Sequence, residues 1–133
     1  MVLTAREQSI FDAHNSERTS RGIAPLSIDP TLQTIARARA QIMADNNLFS
    51  HYAPNGQTIF DMMDAVSYAW QDATENIHFN DYAVSQADAV AMSEYMASAA
   101  HRANILKPGF HRVGVGVATS AGGVSYYSVV FSD

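Results

Sequence analysis

Apolar residues recur along this chain with two periods, one helical and one of strands. Ile10, Phe11 and His14 keep helical spacing behind Thr4-Ala5-Arg6-Glu7. Those four residues read as a capping box: the Thr4 oxygen takes the Glu7 N–H, and the Glu7 carboxylate reaches back to Thr4. Gly22 is a left-handed stop for this helix. A second helix starts at Asp29-Pro30, a capping side chain followed by a residue whose missing N–H costs little in a first turn. Leu32, Ile35, Ala36, Ile42 and Met43 continue it, and Asn46-Asn47 suits its end. Pro54 and Asn55-Gly56 make 49–56 a loop, after which Ile59, Phe60, Met63 and Val66 outline a short amphipathic helix. From Thr74 to Phe79 the period falls to two, with Ile77 and Phe79 alternating with polar neighbours as on a half-buried strand. Ala83 to Ala99 is Ala-rich and free of Gly, a good helix by propensity. His111–Ser120 and Val124–Ser132 alternate again around Gly122-Gly123, which predicts a terminal hairpin.

Four helical patterns and three strands predict an α+β layered domain. In the first hairpin strand Val113, Val115 and Val117 share one face, and Gly114, Gly116 and Ala118 share the other. Repeated glycines weaken a strand, so a close neighbour is expected on their face, a helix in preference to a ligand. His14, Asn15 and Arg18 fall on the buried side of the first helix and read as fold-supporting polar groups. Arg37 and Arg39 are expected on a solvated face of the second.

With 133 residues, 47% hydrophobic and 16% charged, the chain suits one domain spanning 1–133 with a sizeable core. A net charge of −5 without any Lys/Arg run argues against nucleic acid as a main partner. The lack of cysteine removes disulfides, thiolate metal sites and a Cys nucleophile. No apolar run reaches the roughly 18 residues of a membrane span. The start, M-V-L-T-A-R-E-Q, lacks the features of a signal peptide.

The chain carries no H-E-x-x-H, G-x-S-x-G, P-loop or G-x-G-x-x-G motif. Gly114-Val115-Gly116 is half a nucleotide fingerprint without its helix. If Ser93–Ala99 and the residues after it form one continuous helix, Glu94, Ser98 and His101 lie within about 60° of one another. Ser98 and His101 have no identifiable third group to orient the imidazole, so the pair alone is a weak nucleophile signal.

Several short stretches carry a resemblance: His14-Asn15 with Arg18, Pro25-Leu26, Phe49-Ser50-His51, Glu75-Asn76-Ile77, His101-Arg102, Asn104-Ile105-Leu106, Pro108, Phe110 and the Gly-Val run 113–117. In this order and spacing the chain resembles bacterial CAP-superfamily domains, the group of cysteine-rich secretory proteins, insect venom antigens and plant pathogenesis-related proteins. The resemblance implies a three-layer α-β-α sandwich round a small antiparallel sheet. It also implies an exported protein, secreted or in the cell envelope, of which this chain is a mature or excised part. Domains like it usually carry two His and two Glu in a cleft. His51, Glu75 and His101 match three of these, while Ser98 stands where the second Glu is expected, as in a bacterial subset. Glu94, one helical turn earlier, is the candidate replacement carboxylate.

Two imidazoles can hold Zn²⁺ or another divalent cation at about 2.0–2.1 Å, and two ligands are fewer than the three of a catalytic zinc. A weak site on His51 and His101 is therefore expected, with Glu75 orienting an imidazole or acting as a base. The bland alternative is a hydrogen-bonded polar cluster that pins loop 49–56 to the helix. The expectation is a non-enzymatic binding module for an unidentified small, lipid-like or wall-associated ligand. The alternatives are a metal-assisted hydrolase of peptide or wall polymer, with Glu75 as base, and a purely structural or adhesive module. Oligomeric state is left open.

Overall fold

A computed structural model describes residues 2–133. Its elements are α1 (Ala5–Thr19), β1 (Ser27–Ile28), α2 (Pro30–Asn46), α3 (Ile59–Ala65), β2 (Ala73–Asn80), α4 (Val84–Ala97), α5 (Ala99–Ile105), β3 (Arg112–Thr119) and β4 (Ser125–Ser132). The sheet order is β1-β3-β4-β2. Strands β3, β4 and β2 are antiparallel, and the two-residue β1 joins β3 in parallel.

Helix starts follow local chemistry. Thr4 and Glu7 form the expected capping box, and Asp29 accepts from the N–H groups of Thr31 and Leu32. Asn47 ends α2 in the left-handed region, at φ 45°. Thr58 and Asp61 make a further capping box for α3.

Helices cover both faces of the sheet. Val113, Val115, Tyr127, Val129 and Phe131 turn to one side and bury Ile10, Met92, Tyr95 and Ile105 of α1, α4 and α5. On the other side Val130 packs with Leu32, Ile35 and Ala36 of α2 and Ile59 and Met63 of α3. This is the α-β-α sandwich. The glycine face meets a helix, as expected: a Cβ at Gly114 or Gly116 would overlap the backbone carbonyl of Leu32 or Ala36.

His14 is wholly buried, with Nδ1–H donating to the Ile10 carbonyl at 2.8 Å. Burial pushes its pKa down to about 4, so it stays neutral at ordinary pH. Asn15 pins the 26 position through both its amide atoms, and Arg18 gathers four carbonyls. All three are fold-supporting.

Three expectations fail. Arg39 is fully buried rather than solvated, because it pairs with Glu75. Arg37, by contrast, does lie at the surface, half-exposed and paired with Glu7 at 2.7 Å. The helix predicted through Ala99 breaks at Ser98, whose extended backbone (φ −96°, ψ 121°) ends α4 and caps α5. Phe79 does not share the burial of Ile77, because it sits at the rim, 47% exposed, against Phe49.

Candidate functional site

The site begins at β2. Strand alternation turns Glu75 toward α2, where Arg39 occupies the buried stripe between Ile35 and Met43. Glu75 Oε2 accepts from Arg39 Nε at 3.0 Å and from Ser128 Oγ at 2.6 Å. Its Oε1 lies 2.9 Å from His51 Nδ1 and 3.4 Å from Arg39 Nη2. The same Nη2 donates to the Ser50 carbonyl, so one guanidinium holds α2, β2 and loop 49–56 together. A carboxylate can only accept, which puts the hydrogen of His51 on Nδ1 and leaves Nε2 as the free ring nitrogen. The His51 side chain is 52% exposed, over a carboxylate that is almost wholly buried.

His101 is carried by α5. Ser98 Oγ caps that helix, accepting from the His101 N–H at 3.5 Å. Asn76 fastens α5 to β2: its Nδ2 donates to the His101 carbonyl at 3.0 Å, and its Oδ1 accepts from Asn104 Nδ2 at 2.8 Å. The His101 ring meets Tyr95 edge-on, centroids 5.3 Å apart. Burial first, and the nearby His51 second, lower the pKa of His101.

Two recesses, of about 330 and 340 Å³, share His51 and Tyr52 as a common wall. The first reaches Thr58, Ile59, Phe60, Thr74 and Glu75. The second reaches Phe49, Ser50, Ile77 and His101. Three of the five sequence candidates, His51, Glu75 and His101, thus border one cleft. Ser98 stands behind it as a helix cap. Glu94 is exposed and bears on His78, whose pKa burial lowers while Glu94 raises it and His101 lowers it. The break at Ser98 removes the shared helix face that linked Glu94 to His101.

Among the described residues, no group of three or more His, Cys, Asp or Glu is arranged to hold a metal ion. The donor set is two imidazoles, with both Glu75 oxygens already engaged. Two imidazoles on one recess could supply two ligands, one fewer than the three of a catalytic zinc. Arg39 and Asn76 were missed as site residues. Arg39 had a signal, its place in the apolar stripe of α2; Asn76 had none beyond its position beside Glu75.

Comparison with known proteins places this arrangement. The chain is 36% identical over 118 residues to "Uncharacterized protein YkwD" of Bacillus subtilis, covering 89% of this chain and 44% of that one. The structure of an extracellular protein containing a SCP domain from Bacillus anthracis superposes with a TM-score of 0.82 at 28% identity, covering 99% of this chain and 44% of that chain. This chain therefore spans less than half the length of either. A structure described as NaASP2 with Zn²⁺ shares the fold, with a TM-score of 0.69 at 13% identity over 97% of this chain and 80% of that one. The profile of the CAP family, described as "Cysteine-rich secretory protein family", matches residues 11–131. With the sandwich, the cleft and this match in agreement, the chain belongs to the CAP, or cysteine-rich secretory protein, family.

Proposed function

We propose that this domain is a non-catalytic binding module of the cell exterior or envelope. Its cleft lies between loop 49–56, β2 and α5, and binds its ligand beside a weakly held divalent cation on His51 and His101. One observation carries the reading: buried Glu75 fixes His51 through Nδ1, leaving Nε2 free at a recess that His101 also borders. Orientation of an imidazole by a carboxylate is how metal-ligating histidines are usually supported. The Zn²⁺ in the NaASP2 structure and the extracellular relative from Bacillus anthracis agree with the two halves of the proposal. Against a hydrolase stands Glu75 itself, whose oxygens take hydrogen bonds from Arg39, Ser128 and His51 and are not free to take a proton from water.

Calorimetry with Zn²⁺ near neutral pH tests this. About one equivalent should bind saturably, and affinity should fall as the pH is lowered, because a ligating imidazole must be unprotonated. Glu75→Gln should weaken it by about 10–100-fold. Unchanged binding in the His51→Ala/His101→Ala double variant would remove both residues from the site.

A further inference from the structure

The cleft follows an edge of the sheet at which Glu75 and Ile77 are 7% and 4% exposed. In the order β1-β3-β4-β2, strand β2 has one neighbour. The Asp133 N–H donates to the Asp72 carbonyl, and the register continues through Thr74↔Phe131 and Asn76↔Val129. Antiparallel alternation then directs the backbone groups of Thr74, Asn76, His78 and Asn80 at β4. Those of Ala73, Glu75, Ile77 and Phe79 point away from the sheet. Among the described residues, none bonds to these outward N–H and C=O groups.

Such an edge is normally blunted by shortness, Lys, Pro, a bulge, an inward-pointing charge or a covering segment. On β2 only the inward-pointing Glu75, with His51 of loop 49–56 against it, serves that end. The opposite edge conforms, since β1 is two residues long. By contrast β2 runs for eight residues, A-T-E-N-I-H-F-N, with neither Lys nor Pro and an unbroken register against β4. Four of the exposed large apolar side chains, Phe49, Tyr52, Phe60 and Phe79, gather along it at 38–60% exposure. Grouped exposure of this kind marks an interaction surface.

Neighbouring stretches of β2 line the two recesses, Thr74 and Glu75 the first and Ile77 the second. One reaches Glu75 and the other Ile77, two residues apart on β2, which is roughly 6.6–6.8 Å. Alternate side chains of an added strand point to the same face at that interval. Ile59 and Phe60 line the first recess, and Phe49 and Ile77 line the second, so both suit apolar side chains. A hydrocarbon chain has no amides to offer the outward donors and acceptors of β2, whereas a peptide backbone offers them in the same repeat.

We infer that the cleft binds an extended polypeptide segment by strand addition to β2, with apolar side chains at alternate positions entering the two recesses. This rests on the cleft being the ligand site, and it names the class of ligand. Backbone pairing supplies the affinity and the recesses supply the choice of sequence.

Phage-displayed random short peptides selected on the immobilised domain provide the probe, and the enriched sequence is synthesised with N-methyl groups at alternate residues. Enriched peptides should carry apolar residues two apart and should slow hydrogen exchange at the Glu75 and Ile77 amides. N-methylation in one parity should weaken binding by about 10-fold or more, the worth of one or two hydrogen bonds, and in the other parity by no more than about twofold. Absence of any enriched peptide, an N-methyl effect independent of parity, or protection of other amides instead would each overturn strand addition. Protection of Glu75 and Ile77 that rises with protein concentration without peptide would assign the edge to a second copy of the chain, and would overturn it too. Zn²⁺ titration of the same sample separates the two ideas. Intact Zn²⁺ binding without peptide binding removes strand addition alone, and loss of both removes the cleft as a ligand site.

Discussion

Two guanidiniums are fully buried in this domain, and they are satisfied in different ways. Arg18 of α1 donates only to carbonyls: Ala24 at 2.9 Å, Ile105 and Lys107 at 2.9 Å each, and Phe110 at 3.0 Å. Arg39 of α2 meets a carboxylate and one carbonyl, and its Nη1 has no hydrogen-bond partner. The first ties the turn between α5 and β3 to α1 with backbone acceptors that no side-chain substitution can remove. The second is one half of a charge pair whose other half, Glu75, also orients His51. A carbonyl cage holds shape alone, whereas a charge pair holds shape and tunes the cleft.

The largest effects should come from breaking each guanidinium in turn. Arg18→Met strands the buried Ile105 and Phe110 carbonyls, at about 1–3 kcal/mol for each. Arg39→Met leaves a buried carboxylate unpaired, and should lower stability by roughly 3–5 kcal/mol. Urea unfolding would measure both, and the second change tells them apart: Glu75→Gln should recover part of the loss in Arg39→Met and none in Arg18→Met. Equal recovery, or none in either, would erase the distinction.

Next in size is the acid response of the Arg18 side. His14 is neutral when folded, with a pKa of about 4 against the ordinary 6.5. Above 6.5 neither state binds the proton, so nothing is lost. Between 6.5 and 4 only the unfolded chain binds it, and stability should fall as pH drops, by about 3 kcal/mol in total. Below 4 the loss should stay constant. His78 and His101, whose folded pKa values are also lowered, contribute with the same sign. Urea midpoints from pH 7 to 4, with NMR titration of His14, would check this, and a His14 resonance titrating near 6.5 would contradict it.

The smallest effect should be on stability at the cleft itself. His51 is half exposed, so His51→Ala should cost no more than about 1 kcal/mol while abolishing Zn²⁺ binding. A large drop in the urea midpoint would recast the His51–Glu75 contact as a structural pin for loop 49–56.

What the chain alone determined is what acts over a turn or a strand pair. The capping residues Thr4, Glu7 and Asp29, the stop at Asn47, the terminal hairpin and the glycine face of β3 are short-range geometry, legible as spacing. The motifs around His51, Glu75 and His101 were legible through family resemblance. What they touch was not. Arg39 reads as solvent-facing until its partner 36 residues away is brought to it, because a charge is buried only where its counter-charge arrives by folding. Ser98 reads as helix interior in an Ala-rich run, yet it is a cap in the folded chain, where Asn76 of β2 bonds the His101 carbonyl beyond the break and the Tyr95 hydroxyl before it. The open edge of β2 is decided last, since strand order is a property of the assembled sheet and no local pattern states which strand will lack a neighbour.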